Sequence, residues 1–179
     1  MTSALVGSVR ALHVWPADAE LPQSVASLDL DWGGAIGDRH HGLTMSSDVR
    51  QAHVYPRGTT ITNLRQVSIV DEGELARIAA ALGVDALAPG LIADNICTAG
   101  LPDLTMTPHM TRMVFDGGAV LMLGGENNPC TTAGAMVERV HGTSPSSFPK
   151  AAIHLRGVTG WVECPGTIHA GEGLRLITP

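Results

Sequence analysis

The chain has 179 residues, of which 44% are hydrophobic and 16% are charged, and its formal net charge is −6. This composition predicts a folded chain with a sizeable core and excludes intrinsic disorder. The negative charge and the 3% aromatic content argue against nucleic acid as a partner, since such proteins need a basic face or a stacking platform. No signal peptide and no apolar run of about 18 residues is visible, so we expect a cytoplasmic protein with no membrane partner.

Short apolar runs separated by 21 glycines and 11 prolines are typical of many strands joined by turns. In chain order, the predicted strands lie at residues 4–15, 65–70, 90–98, 111–124 (two strands, or one broken strand) and 152–177 (at least two). Turn signals within these runs are Asp116-Gly117, Pro165-Gly166 and Gly171–Gly173. Residues 43–64 have no clear period and are long for a plain connection, which favours a binding loop or a mobile lid.

Two segments have a helical period. Residues 71–83 carry apolar side chains at i, i+3, i+4 and i+7, with acidic residues spaced as a capping pair and a glycine at the end. Residues 131–142 predict a second helix, capped by Thr131 or Thr132. Strands dominate, and closing the sheet would remove its exposed edges. The expected fold is therefore mainly β, a largely closed β-barrel with a few short helices, and no linker divides residues 1–179 into more than one domain.

The three cysteines are Cys97, Cys130 and Cys164, without a C-x-x-C pair, which argues against a zinc ribbon and suits a reducing compartment. Cys130 ends the stretch "LGGENNPC" and directly precedes the second predicted helix. A thiol at a helix N-terminus should be acidic, and a thiolate can be a nucleophile, a persulfide carrier or a soft metal ligand. A half-buried structural cysteine fits the position equally well. Cys97 and Cys164 lie in strand-like runs and are expected to be structural.

Polar residues concentrate in "GGAIGDRHHG", residues 33–42, which contains Asp38, Arg39, His40 and His41. Neighbouring side chains of a strand point to opposite sides, so the two histidines are not expected to share one metal ion. One histidine together with Arg39 could orient an anionic group. The alternative is an ordinary solvated turn.

Other charged residues interrupt apolar runs. Arg156 lies in an apolar segment and needs a partner, either a carboxylate such as Glu163 or a ligand phosphate. Arg65, at the start of the predicted strand 65–70, likewise needs a carboxylate or a ligand phosphate as its partner. Asp94 and Asn95 break a predicted strand, so they form either a bulge or a patch that faces a site. No P-loop, G-x-G-x-x-G or G-x-S-x-G motif supports a nucleotide site or a serine hydrolase.

In this order, "GDRHHG", "RQVSIVDEGE", "APGLIADNICTAGL", "LGGENNPC" and "HLRGVTGWVECPGTIHAGEGLRLI" resemble the MOSC domain. This domain ends the molybdenum cofactor sulfurases and also occurs as standalone bacterial proteins. The resemblance covers residues 33–177, and the chain lacks the aminotransferase-like part of the sulfurases, so it is similar to the standalone members. Where the family usually has Gly-Glu-Asn, this chain has Ala93-Asp94-Asn95, and His41 often corresponds to a small residue.

The resemblance implies a strand-rich barrel in which Cys130 binds the molybdenum of the molybdenum cofactor (molybdopterin). The other residues that it places around the pocket, as cofactor-binding residues, are Asp38, Arg39, His40, Arg65, Asn95 and Arg156. The implied activity is reduction of a small-molecule substrate, an N-hydroxylated compound, with electrons from an electron-donor protein.

Two alternatives remain. Cys130 could instead carry a persulfide, or the chain could hold the cofactor without turnover. A metal-free thiol enzyme with His40 or His141 as base is disfavoured, because His141 lies about three helical turns beyond Cys130.

Overall fold

The structure, a computed structural model, describes residues 5–179. The strands are β1 (Leu5–Val14), β2 (Gln23–Val25), β3 (Ser27–Asp31), β4 (Gly34–Ala35), β5 (Thr44–Ser46), β6 (Thr60–Thr62), β7 (Val67–Asp71), β8 (Ile96–Ala99), β9 (Arg112–Phe115), β10 (Val120–Glu126), β11 (Val158–Cys164), β12 (Gly166–His169) and β13 (Gly173–Ile177). The helices are α1 (Glu72–Leu82), α2 (Thr131–His141) and α3 (Ser147–Ala151), and 3-10 turns occur at Val49–Gln51 and Leu104–Met106.

Seven strands form a closed barrel in the order β1-β8-β7-β11-β10-β9-β13, and β13 pairs with β1 to complete the ring. Neighbouring strands are antiparallel except for β7 and β8. The strand β2 pairs antiparallel with the end of β1, while β12-β3-β4 and β5-β6 form two small additional sheets. The prediction of a mainly β, closed barrel with few helices is therefore confirmed.

Residues 5–179 form two apolar cores. Strand side chains such as Leu12, Ile69 and Leu123, all fully buried, fill the barrel interior. A second core lies outside the barrel, where α1, α2 and α3 pack together over β7 and β8 and bury residues such as Ile78 and Phe148. Burial of these apolar side chains supplies the main favourable free energy of folding. The second core also fixes the start of α2 against the barrel.

Both predicted helices form. The side chain of Asp71 accepts a hydrogen bond from the Gly73 N–H, Glu74 reaches back to the Asp71 N–H, and α1 ends at Gly83 in the left-handed conformation. The N-cap of α2 is Cys130 itself, so the prediction of a threonine cap was wrong by one or two residues.

Strand prediction succeeded for β1, for residues 65–70, where β7 lies, and for residues 111–124, but it failed over residues 90–98. The first predicted strand matches β1, although Ala4 lies outside the described residues, and 111–124 divides into two strands as expected. The strand predicted over residues 90–98 was wrong, because only Ile96–Ala99 is extended. The Asp94 carboxylate accepts from the Gly90 N–H, and Ala93 has a positive φ of 66°, so the chain turns there.

Several short elements escaped prediction. Residues 43–64 contain the hairpin β5-β6 around a 3-10 turn, and β2 to β4 and α3 have too few residues to show a period. Within residues 5–179, no helix is long and apolar enough to cross a membrane.

Candidate functional site

A cavity of about 420 Å³ opens at one mouth of the barrel. Its walls come from the end of β1, the loop before β5, the 3-10 turn at Val49–Gln51, the starts of β7, β8 and β11, and the first turns of α2. Loops at one end of a rigid scaffold are where binding residues commonly gather. The barrel closure thus brings together side chains from distant parts of the chain.

Cys130 lies half-buried in the cavity wall at the N-cap of α2. Arg156 donates from Nη1 to Cys130 Sγ over 3.5 Å. Burial disfavours the thiolate, but the charge of Arg156 and the backbone N–H groups of Ala133 and Thr132 outweigh it, so the pKa of the Cys130 thiol lies below its ordinary value. The predicted acidic thiol at a helix start therefore has a geometric basis.

Arg156 is only 7% exposed and occupies a turn before β11 rather than the predicted strand. Its Nη1 donates to the Asn128 carbonyl at 2.7 Å and its Nη2 to the Ile92 carbonyl at 3.4 Å. The suggested partner Glu163 instead binds Arg112 at 2.8 and 2.9 Å, so that alternative was wrong. Among the described residues no acceptor reaches the buried Nε of Arg156.

Arg65 lines the same cavity, and its side-chain hydrogen-bond partners are uncharged. Its Nη2 donates to Asn127 Oδ1 at 2.9 Å and its Nη1 reaches Thr159 Oγ1 at 3.5 Å. Burial, together with the charges of Arg50 and Arg156, lowers the pKa of Arg65 to about 10. A guanidinium in such surroundings is stabilised by an anionic ligand.

Asp38 is buried beneath the cavity and does not line it. Its carboxylate accepts from the Trp15 N–H and from Asn95 Nδ2, both at 2.8 Å, and from the backbone N–H and ring Nδ1 of His40, both at 2.9 Å. Burial opposes ionisation of Asp38, but these hydrogen bonds outweigh it and lower its pKa. Asp38 thus holds three cavity residues in position instead of contacting a ligand.

Arg39 and His40 line the cavity as the sequence suggested. The Arg39 guanidinium lies 3.8 Å from the ring centroid of Trp15 and donates to the Pro16 carbonyl at 2.8 Å. His41 bonds to Asp31 at 2.7 Å, while His40 bonds to Asp38. The two histidines therefore have different hydrogen-bond partners, although both line the cavity.

The segment Ala93-Asp94-Asn95 faces the cavity in part. Ala93 and Asn95 line it, and Asn95 Oδ1 accepts from the Ser68 N–H at 3.0 Å. Asp94 is buried, which raises its pKa, and both of its carboxylate oxygens accept from the Gly90 N–H at 2.9 Å. The segment is thus both a tight turn and a lining of the site.

Sequence reasoning missed two charged residues of the cavity wall. Arg50 and Asp48 belong to the 3-10 turn between β5 and β6, and they form an ion pair at 2.5 Å. The only signal for them was the general expectation of a binding loop at residues 43–64. Asn127, which accepts from Arg65, was also missed, although it lies within the quoted stretch "LGGENNPC".

The other two cysteines differ from Cys130. Cys97 is buried in β8, where burial, reinforced by the charges of Asp94 and Asp71, raises its pKa. Cys164 is exposed at the end of β11, so its expected role as a buried structural residue was wrong. Across residues 5–179, no group of three or more His, Cys, Asp or Glu side chains is placed to hold a metal ion.

The fold and the site together define a closed strand barrel that carries a cysteine of lowered pKa among arginines at its mouth. The family model of the MOSC domain matches residues 41–175, and the chain belongs to this family. The resemblance inferred from the sequence motifs is confirmed.

A curated relative with full-length similarity is YuaD of Bacillus subtilis, whose name provisionally assigns it to metal-sulfur cluster biosynthesis. It is 32% identical over 179 residues, which cover 98% of this chain and 93% of YuaD. The YuaD crystal structure superposes with a TM-score of 0.95 at 31% identity, covering 100% of both chains.

A more distant likeness shows the fold alone. YiiM from Geobacillus stearothermophilus has a TM-score of 0.66 at 14% identity, covering 96% of this chain and 75% of YiiM.

Proposed function

We propose that this chain binds the molybdenum cofactor, with the Cys130 thiolate as its ligand to molybdenum, and reduces small N-hydroxylated compounds. The observation that carries the proposal is the acidic Cys130 thiol, 3.5 Å from the Arg156 guanidinium in a cavity lined by three further arginines. A thiolate is a soft ligand of the kind that suits molybdenum. The family has such a cysteine at the position of Cys130.

The charges of the cavity fit the phosphate of this cofactor. Among its lining residues, the four guanidinium groups face one carboxylate, Asp48, and the Cys130 sulfur, which carries a negative charge as a molybdenum ligand. The remaining two positive charges match a phosphate monoester dianion. The unpartnered Nε of Arg156 also calls for an acceptor. A volume of about 420 Å³ lies within the range of small-molecule sites.

In the proposed reaction, the chain's own residues would have separate roles. Cys130 anchors the metal, while Arg65 and Arg156 hold the phosphate. The Nδ1 bond to Asp38 orients His40 and leaves Nε2 as the ring atom that can pass a proton to the substrate. When bound, the cofactor supplies a metal centre that exchanges electrons with the substrate. Overall, the N–OH bond is cleaved with two electrons from a donor protein and two protons, which gives the N–H compound and water.

Metal analysis tests this proposal. Protein purified from a host that makes the cofactor should contain stoichiometric molybdenum and pterin, and it should reduce a hydroxylated base in proportion to that content. Cys130→Ser should lose molybdenum, whereas Cys164→Ser, which removes an exposed thiol outside the cavity, should retain it. Absence of molybdenum from the wild-type protein, in a host whose own molybdenum enzymes are loaded, would refute the proposal.

A second candidate function is sulfur transfer, which the acidity of Cys130 and the name of YuaD both favour. Here the Cys130 thiolate attacks the outer sulfur of a donor persulfide, which forms Cys130–S–SH and releases the donor thiolate. Intact mass should then rise by one sulfur, which a reductant removes. The increase should be absent in Cys130→Ala and present in Cys164→Ala, and an unchanged mass after incubation with a donor persulfide would exclude this role.

A further inference from the structure

We propose that Thr105 is a positioning residue for the site: its hydroxyl locks the Arg156-Gly157 turn and thereby holds the Arg156 guanidinium against Cys130. The inference rests on the proposed role of Cys130 as the reactive thiol of the site. Thr105 lies outside the cavity lining, and no motif marks it in the sequence.

A buried chain of hydrogen bonds leads from α1 to the site. The Glu74 carboxylate, which is fully buried, accepts from the Thr105 N–H at 2.7 Å. The Thr105 hydroxyl oxygen in turn accepts from the Gly157 N–H at 2.7 Å. Thr105 is 3% exposed and Arg156 7% exposed, so solvent does not readily replace either bond.

Other contacts hold the Gly157 backbone, but its N–H bonds to the Thr105 hydroxyl. Gly157 has a positive φ of 75°, and its backbone packs against the carbonyl oxygen of Ile69 so closely that no Cβ fits. The Gly157 carbonyl accepts from the Asn127 N–H at 2.9 Å. The Thr105 hydroxyl is thus the partner of the N–H that directly follows Arg156, and this hydrogen bond orients the peptide plane between the two residues.

Loss of the Thr105 hydroxyl should therefore let the turn rotate and move the Arg156 guanidinium away from Cys130. The bond from Arg156 Nη1 to Cys130 Sγ is already 3.5 Å long, near the limit for such a contact. A small rotation of the turn therefore breaks this contact before it breaks the 2.7 Å bond from the same Nη1 to the Asn128 carbonyl. The positive charge close to the sulfur would then decrease while the cavity wall itself remains.

Alkylation of Cys130 by two reagents measures this charge. Iodoacetate is anionic and iodoacetamide is neutral, so the ratio of their rate constants reports the local positive charge, and the fraction of thiolate cancels from the ratio. The full chain is used in a Cys164→Ser background, from a host that cannot make the cofactor, so that Cys130 is free whether or not the chain binds molybdenum. Arg156→Gln sets the scale, with an expected fall in the ratio of about fivefold for loss of a unit charge near the sulfur.

Thr105→Val should lower the ratio several-fold, while Thr105→Ser, which keeps the hydroxyl, should restore it. Thr98→Val is the matched control, because Thr98 is also fully buried and its hydroxyl donates to Asp71 at 3.0 Å, away from Gly157. It should lower stability and leave the ratio unchanged. The proposal is overturned if Thr105→Val keeps the wild-type ratio, or if Thr98→Val lowers the ratio equally. Neither outcome depends on whether the wild-type protein contains molybdenum.

Discussion

Replacement of Glu74 by glutamine should remove much of the pH dependence of the free energy of unfolding. Glu74 is fully buried at the start of α1, where burial, reinforced by the charge of Asp71, outweighs the hydrogen bonds from Thr105 and from the Asp71 N–H. These surroundings raise the pKa of Glu74 from 4.5 to about 7. The glutamine has nearly the same shape and can still accept from the Thr105 N–H, but it cannot ionise.

The sign follows from linkage between proton binding and folding. Because the folded pKa is above the unfolded one, Glu74 contributes stability below pH 4.5 that is lost as the pH rises through about 7. The whole shift corresponds to about 3 kcal/mol, and about 2 kcal/mol of it should be lost between pH 5 and pH 7.

Urea unfolding at several pH values between 5 and 8 measures the effect. The difference in unfolding free energy between wild type and Glu74→Gln should change by about 2 kcal/mol between pH 5 and pH 7, with the wild type losing stability relative to the variant. Glu72→Gln changes an exposed carboxylate two residues away on the same helix and serves as the control, for which we expect little change because solvent screens exposed charges. Parallel curves for wild type and Glu74→Gln would refute the reasoning.

Three further substitutions test other parts of the structure. Ala93→Gly should raise the free energy of unfolding by about 0.5–1 kcal/mol, because alanine is strained at a φ of 66° and glycine is not, and urea unfolding that shows a loss would contradict this. Gly157→Ala should cost more than about 3 kcal/mol, because its Cβ would overlap the Ile69 carbonyl oxygen, and a near-wild-type midpoint in the same assay would be incompatible with the observed turn. Asp38 has a lowered pKa, so its ionised form stabilises the fold above its ordinary pKa of 3.8, and this stability is lost as the pH falls through the folded value. Asp38→Asn should therefore cost about 1–3 kcal/mol at neutral pH and flatten the acid side of the stability profile, which thermal unfolding from pH 2 to pH 7 would reveal.

The sequence predicted those elements whose signals are local. The Asp71 and Glu74 capping pair and the left-handed Gly83 bound α1 as expected, since these contacts join residues only a few positions apart. The segment 90–98 has equally strong apolar character, yet its first half turns. There the Asp94 carboxylate satisfies a backbone N–H that a strand would have paired with a neighbour.

The site residues also fall into two groups, those that sequence motifs marked and those that only the tertiary structure places at the cavity. Arg39, His40, Arg65, Asn95, Cys130 and Arg156 all line the cavity, as the resemblance to the family implied, although their roles toward a cofactor stay predictions. Asp38 was expected to line the cavity but lies beneath it, because its carboxylate accepts hydrogen bonds from four donors of the protein. Arg50 was missed, because its place at the cavity depends on a hairpin too short to show a period.

The sequence by itself determined that Cys130 stands at a helix start, because the proline before it and the helix-forming run after it act within a few residues. Only the tertiary structure decided what surrounds the sulfur. Arg156 is 26 residues away in the chain, and Arg65 meets Asn127 across 62 residues. Such distances are bridged by strand pairing and barrel closure, which depend on packing of the whole chain and which no local pattern of residues encodes.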